Sequence, residues 1–167
     1  YGLLRNQRVR VVSDDWFFGR IFGDDVLAYG SEKNFYIRAD LAEIWNEFKG
    51  LVSRASFDAK GRAVVDLRQV IGKGRIMPLT TVELVIFLKR DPEQKEIVRQ
   101  LDGDGALEIL ERNGYYNPHL LVHNDFKSNM RSHFFRVLLS RARVMEVNTV
   151  GTPELTQKRI LEIVERR

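Results

Sequence analysis

Residues 8–16, with the sequence RVRVVSDDW, carry the first signal of the fold. Residues 8–12 form a short β-branched run that ends abruptly at Ser13, Asp14 and Asp15. Runs of this kind are typical of strands, and Ser and Asp are common where a strand gives way to a turn. We therefore predict a strand over residues 8–12, with two adjacent carboxylates at its carboxyl end.

Further strand-like segments follow in the first half of the chain, with one helical segment among them. The strand-like segments are residues 16–22, 26–29, 35–38, 62–67 and 82–88. Leu41, Ile44, Trp45 and Phe48 have the i, i+3, i+4, i+7 spacing of one helix face, and Asp40 precedes them as the expected N-cap. The first half is therefore predicted to be rich in β-structure, and we expect Trp16, Phe17, Phe18 and the series that starts at Phe126 in the core.

The second half is predicted to be mainly helical. The expected helices are one from Pro92 to about Leu101, one capped by Asp104 and ended by Gly114, one with Phe126, Met130, Phe134, Val137 and Leu138 on its face, and one begun by Thr152, Pro153 and Glu154. Residues 144–147 predict a last strand. The expected fold class is α/β, a mixed β-sheet with flanking helices, with a β-rich N-terminal half and a helical C-terminal half.

Length and composition limit the classes of protein that fit. The 167 residues suit a single domain over residues 1–167. They carry 27 basic and 23 acidic side chains, which are interspersed along the chain and give a net charge of +4. That excess does not by itself indicate nucleic acid, and we see no face on which basic and aromatic residues alternate, so a nucleic-acid partner is not expected. The chain has no cysteine, no apolar run of ~20 residues and no signal peptide, so we expect a cytoplasmic protein without a membrane anchor.

The acidic pair Asp14–Asp15 is the first candidate for chemistry. A carboxylate at a strand end can hold Mg²⁺ beside the phosphates of a nucleotide, and a second carboxylate can accept the proton of an attacking hydroxyl. An ordinary boundary between a strand and a turn explains the same two residues, and both readings stay open.

The second candidate is the basic loop Gly72-Lys73-Gly74-Arg75. Glycine lets the backbone approach a phosphate closely, and the two cations supply charge. The loop lacks the G-x-x-x-x-G-K-[ST] pattern of a P-loop, and a solvated turn between two strands would have the same composition.

Other titratable residues give weaker signals. Arg62, Asp66 and Arg68 lie on one face of the predicted strand and alternate with apolar residues on the other. A half-exposed strand has the same pattern, and Asp58 precedes them in an expected loop. His119 and His123 are four residues apart, but Pro118 and an apolar run argue against the helix that a metal-binding pair would need.

Taken in order, these segments resemble a known family. Ser13-Asp14-Asp15-Trp16 resembles the acidic pair of the phosphoenolpyruvate carboxykinase-like P-loop group, which includes HPr kinase/phosphorylase. Residues 64–76, VVDLRQVIGKGRI, are similar to the signature loop of HPr kinases, and residues 32–45 to the carboxykinase segment after the acidic pair. The resemblance spans roughly residues 8–92 and includes no motif of the helical half.

The resemblance implies a P-loop kinase-like fold and phosphoryl transfer from ATP or a related nucleotide with Mg²⁺. It implies that Asp14 and Asp15 divide the roles of metal ligand and base, in either order, and that Asp58 is a further metal ligand. The stretch from Gly72 to Arg75, with Arg68, would hold phosphate or substrate. The family's Walker A loop precedes the acidic pair and is not in this chain, so a strand, loop and helix are expected upstream of Tyr1.

Two functions of different classes follow. One is a phosphotransferase that acts on a nucleotide and an unidentified phosphoryl acceptor, with a second copy of the chain or an additional N-terminal segment as the expected partner. The other is a non-catalytic regulatory or interaction domain that keeps the kinase-like fold. If the upstream segment is missing, we expect either a partner chain or an exposed apolar patch at Val9 and Val11.

Overall fold

The computed structural model describes residues 2–31, 34–114 and 124–166. The strands are β1 Phe17–Phe22, β2 Asp25–Gly30, β3 Asn34–Arg38, β4 Ser56–Phe57, β5 Arg62–Asp66, β6 Leu79–Thr81, β7 Leu84–Lys89, β8 Val98–Leu101 and β9 Arg143–Asn148. The α-helices are α1 Leu41–Ile44, α2 Lys49–Val52, α3 Leu67–Ile71, α4 Gly103–Arg112, α5 Asp125–Arg141 and α6 Pro153–Glu165. Short 3₁₀ turns lie at Gly2–Arg5, Asn46–Phe48 and Lys73–Arg75.

The strands form three small sheets of three strands each. One has the order β1-β2-β6, the second the order β3-β5-β4, and the third the order β7-β9-β8. In the second sheet β5 pairs antiparallel with both neighbours, whereas in the third β9 pairs parallel with β7 and antiparallel with β8. The described chain is thus mixed α/β, as predicted, but its strands form three small sheets where a single mixed sheet was expected.

The chain divides into two compact units. Unit 1 comprises Tyr1–Phe18 and Ala28–Thr80, and unit 2 comprises Gly19–Leu27 and Thr81–Arg167. In unit 1, strands β3 and β5 turn Phe35, Ile37, Ala63 and Val65 inward, because successive side chains of a strand point to opposite faces. These four residues pack with Leu4, Val11, Leu41, Trp45 and Phe48 in a single core.

Val11 is buried in that core and Val9 is half-buried. The apolar patch expected at these two valines is therefore wrong for Val11, since residues of unit 1 cover it.

Unit 2 is built on β9, whose Val144 and Val147 are almost completely buried. Helix α4 packs Ala106, Leu107 and Leu110 against Val144 and against Leu139 of α5. A second cluster joins Val26, Leu138 and Ala142. Helix α6 begins as predicted, with the Thr152 hydroxyl accepting a hydrogen bond from the Leu155 N–H and Pro153 in the first turn.

Two predicted elements are wrong. Residues 8–12 form only a single parallel bridge, Val11 to Ile76, because the residues directly before Ile76 form a 3₁₀ turn and cannot extend the pairing. The helix predicted from Pro92 to Leu101 is a turn followed by strand β8, which pairs with β9. The helix predicted over residues 41–48 is confirmed only for α1, Leu41–Ile44; a 3₁₀ turn, Asn46–Phe48, takes the rest, and the short helix α2 begins after it.

The assignment of several aromatic side chains to the core is also wrong. Trp16, Phe17 and Phe18 are 36%, 46% and 69% exposed, and Phe126 is 72% exposed. Side chains on both faces of β1 are largely exposed, and so are the first turns of α5. In addition, the N-cap of α4 is Asp102, whose carboxylate accepts the Gly105 N–H at 2.7 Å, instead of Asp104.

Two further expectations concern a metal-binding histidine pair and a membrane anchor. His119 and His123 lie outside the described residues. Within residues 2–31, 34–114 and 124–166, no helix combines the length and apolarity needed to cross a bilayer.

Candidate functional site

The acidic pair lies on an exposed bend of unit 1 that follows the buried Val11. Both Asp14 and Asp15 are exposed. The Asp14 carboxylate accepts a hydrogen bond from the Tyr36 N–H at 3.2 Å. Because β3 is an edge strand, its outward N–H groups need partners, and Asp14 supplies one. The bend is thereby attached to the edge of the β3-β5-β4 sheet.

A guanidinium lies beside the pair on the outer face of the same sheet. Arg62 of β5 pairs with Asp58, with 2.8 Å between Nε and Oδ2, and lies 4.7 Å from the centre of the Tyr36 ring. The hydrogen bond to Asp58 is the main reason why the pKa of Arg62 lies above its ordinary value, and the negative charge of Asp15 adds to the effect.

Asp58 already accepts several hydrogen bonds. Its Oδ1 accepts the N–H groups of Lys60 and Arg62, and its Oδ2 accepts the Arg62 Nε–H. The backbone bond from Arg62 leads the causes that lower the pKa of Asp58. This carboxylate closes the turn between β4 and β5, so a role as metal ligand would compete with that turn.

The basic loop lies next to the acidic segment, on the side away from the pair. The Val11 N–H donates to the Arg75 carbonyl and the Met77 N–H donates to the Val11 carbonyl, both at 2.8 Å. Because the bridge is parallel, the loop, which precedes Ile76, lies toward the residues before Val11 and not toward Asp14 and Asp15, which follow it. The structure therefore joins the two segments but brings Asp14 and Asp15 to β3 and Arg62.

Within the loop, each residue has a distinct environment. Gly72 has φ +82°, a left-handed conformation that glycine adopts without strain, and Gly74 is exposed. Lys73 is exposed and begins the 3₁₀ turn. The Arg75 guanidinium, in contrast, donates to the carbonyl oxygens of Leu4, Asn6 and Val9 at 2.8–2.9 Å. Lys73 is thus the cation of this loop that faces solvent.

Arg68 is engaged with Asp66 at the start of α3. The Asp66 carboxylate caps the helix by accepting the Arg68 N–H, and it also pairs with the Arg68 guanidinium. This ion pair is the main reason why the pKa of Arg68 lies above its ordinary value. Arg68 therefore has a structural partner at the place where the sequence predicted a phosphate contact.

The donor set of the acidic pair fits a metal ion that is brought by a nucleotide. Mg²⁺ is held in such sites by one or two carboxylates together with phosphate oxygens and water. Asp14 and Asp15 offer that number of carboxylates on an accessible bend. Over the described residues, the structure shows no group of three or more acidic or histidine side chains placed to hold a metal ion without such help.

Sequence reasoning missed the contribution of Tyr36 and left Arg62 as a half-exposed strand residue. A signal for both was present, since Tyr36 alternates with the apolar Phe35 and Ile37, and Arg62 precedes the alternating run of β5. That alternation places them on the outer face. The pairing that brings them together is non-local and has no local signature.

Comparison with known proteins found no matching family model, no matching curated protein and no matching solved structure.

Proposed function

We propose that this chain is part of a Mg²⁺- and nucleotide-dependent phosphotransferase, similar to the HPr kinase and carboxykinase group, whose P-loop is supplied upstream. The observation that carries the proposal is the exposed carboxylate pair on the bend after Val11, next to Arg62. A pair in this position can reach a ligand in solvent, which a pair enclosed by the core could not.

The environments of the two carboxylates favour a division of roles. Asp14 is positioned by the Tyr36 N–H, so it suits the metal side, where a fixed oxygen is needed. When bound, Mg²⁺ would offset the negative charge of the transferred phosphoryl group. Asp15 is exposed, so its carboxylate can turn toward an acceptor hydroxyl and take its proton, with the positive charge of Arg62 nearby.

In this proposal Lys73 contacts a phosphate on the loop's side of Val11, away from the acidic pair. Its ammonium group is exposed, and it can approach a phosphate without breaking an internal bond. Arg68 and Arg75 would first have to leave Asp66 and the backbone carbonyls that they now contact.

The test measures the affinity of the full-length protein for Mn²⁺-ATP. The electron spin resonance of Mn²⁺ reports the binding. Asp14→Asn together with Asp15→Asn should weaken binding by at least about tenfold, because the charge-assisted contact of Asp14 with the metal is lost. The matched control is Asp24→Asn with Asp25→Asn, a second adjacent and exposed acidic pair. Equal binding by both double variants would refute the proposal.

The single variants separate the two roles. Asp15→Asn should lower turnover about 10²–10⁴-fold with little change in Mn²⁺-ATP affinity, as expected for loss of a general base. Asp14→Asn should mainly weaken the affinity. The reverse result would exchange the roles of the two residues, and normal turnover in both variants would exclude catalysis by this pair.

A non-catalytic domain is the second candidate, and one observation favours it. Asp58, Arg68 and Arg75 are all engaged in internal bonds that stabilise turns. In a domain that only keeps the fold, the full-length protein would bind Mn²⁺-ATP no better than the Asp14 and Asp15 double variant does.

A further inference from the structure

Unit 1 contains a cavity that the acidic pair does not line. Its volume is about 430 Å³, within the range of about 300–1,000 Å³ that is usual for pockets that hold small molecules. The apolar part of its wall comes from Leu51, Ala55, Val64 and Val65. This wall suits an aliphatic group of a ligand.

Polar groups lie on the other side of the cavity. Arg54 donates from Nε to the Gly50 carbonyl at 2.7 Å, which orients the guanidinium at the end of α2. Across the described part of the chain, no hydrogen bond is recorded for its two Nη groups. Ser56 and Gln69, both exposed, add a hydroxyl and an amide to the same wall. Arg54 therefore has a fixed direction and donors to spare.

The charge of the cavity selects the type of anion. Asp66 also lines it, but this carboxylate pairs with Arg68, with 2.9 Å between Arg68 Nε and Asp66 Oδ1. The three side chains Arg54, Asp66 and Arg68 together carry one positive charge. A monoanion neutralises that charge, whereas a phosphate monoester, which carries about −1.5 to −2, would leave an excess negative charge beside Asp66.

We propose that this cavity binds a small monocarboxylate with a branched aliphatic body. The carboxylate takes a forked pair of hydrogen bonds from the Arg54 Nη groups, a geometry that suits a planar guanidinium. The aliphatic body packs on Leu51, Ala55 and Val64. This site is independent of phosphoryl transfer, because none of its contacts needs Mg²⁺ or Asp14 and Asp15.

The test is a titration of the ¹⁵N-labelled protein with 4-methylpentanoate, without added Mg²⁺, followed by amide chemical shifts. The amides of residues 50–56 and 64–69 should shift saturably, with half-saturation at about 1–10 mM because so small a ligand offers few contacts. Two further probes, 4-methylpentanamide and isobutyl phosphate, have nearly the same body and should bind at least about tenfold more weakly.

Arg54→Gln should weaken binding of 4-methylpentanoate at least about tenfold, since a charge-assisted contact is lost. Arg8→Gln is the matched control, as Arg8 is exposed and does not line the cavity, and it should bind as the unaltered protein does. The comparison of carboxylate and amide on the unaltered protein stands even if Arg54→Gln fails to fold.

The proposal is overturned if the unaltered protein shows no saturable shifts, if the shifts lie outside these residues, or if the amide or the phosphate binds as tightly as the carboxylate. Equal binding by Arg54→Gln would also overturn it. Loss of Mn²⁺-ATP binding leaves this result unchanged, so failure of the two proposals can be told apart.

Discussion

Glu146 is nearly buried in unit 2 and is held in its charged form by its neighbours. Its side chain is 5% exposed and pairs with Arg99, with 2.8 Å between Nε and Oε1. Burial alone would raise the pKa of Glu146, but the hydrogen bonds from Arg99 and Gln94 and the charges of Arg99 and Lys89 outweigh it and lower the pKa. The carboxylate is thus more acidic in the folded chain than in the unfolded one.

The pH dependence of stability follows from that direction. A carboxylate with a lowered pKa stabilises the fold above its ordinary pKa of about 4.3, and this contribution is lost as the pH falls through the folded value. Glu146→Gln should therefore reduce the free energy of unfolding by about 1–3 kcal/mol at pH 7 and by much less at pH 3. Urea unfolding at both pH values measures this, with the exposed Glu108→Gln as control. A difference that is constant with pH would contradict the prediction.

At the scale of single elements, the sequence predicts correctly those helices and strands whose structure depends on neighbouring residues. Helix α6 has its Thr-Pro cap and β9 its β-branched run, and both form as predicted. Residues 8–12 carry the same β-branched signal but find only one bridge, because the partner segment at Ile76 turns. Pro92 signals a helix, yet Val98 and Leu101 pair with β9 instead. Pairing between distant segments decided both outcomes, and it leaves no local trace.

The candidate site, too, is only partly predictable from the sequence. The exposure of Asp14 and Asp15 after a β-branched segment follows from their neighbours in the sequence. The contact of Arg62 with Tyr36 depends on the pairing of β3 with β5, and the contacts of Arg75 with three carbonyls join segments more than 60 residues apart. Residue types therefore indicated candidates, and tertiary contacts determined which of them stay accessible.

Gly30, at the end of β2, lets two segments of unit 1 approach closely. A Cβ at this position would overlap the carbonyl oxygen of Val12, which is backbone and cannot rotate away. Gly30→Ala should therefore lower the free energy of unfolding by about 1–3 kcal/mol, the usual cost of forced overlap. Gly74→Ala, where a Cβ meets nothing within 4 Å, should change it by less than about 0.5 kcal/mol. Guanidinium unfolding compares the two, and equal losses would exclude this role of Gly30.

At the scale of the whole chain, the two compact units have separate cores. Ile37 is completely buried in unit 1, and Val147 is completely buried in unit 2. Ile37→Ala should cost about 2–5 kcal/mol. We predict that it accelerates hydrogen exchange of the β3 and β5 amides more than that of β9, and that Val147→Ala does the opposite.

Mass spectrometry of native-state exchange measures this pattern, with the unaltered chain as reference. If each variant accelerates all slow amides equally, the two units unfold together, and the single domain predicted from the sequence would describe the chain better. A segregated pattern would instead define two cooperative units.

The three bonds from Arg75 to Leu4, Asn6 and Val9 have a consequence for protease susceptibility. Arg5, Arg8 and Arg10 are exposed, but a protease must draw several residues into its cleft, so the backbone that Arg75 holds is protected. Arg75→Met should let trypsin cut after these arginines several times faster, while later sites keep their rate. Arg68→Met, which frees no backbone carbonyl, should leave the early cuts slow; if it speeds them equally, Arg75 does not protect this segment.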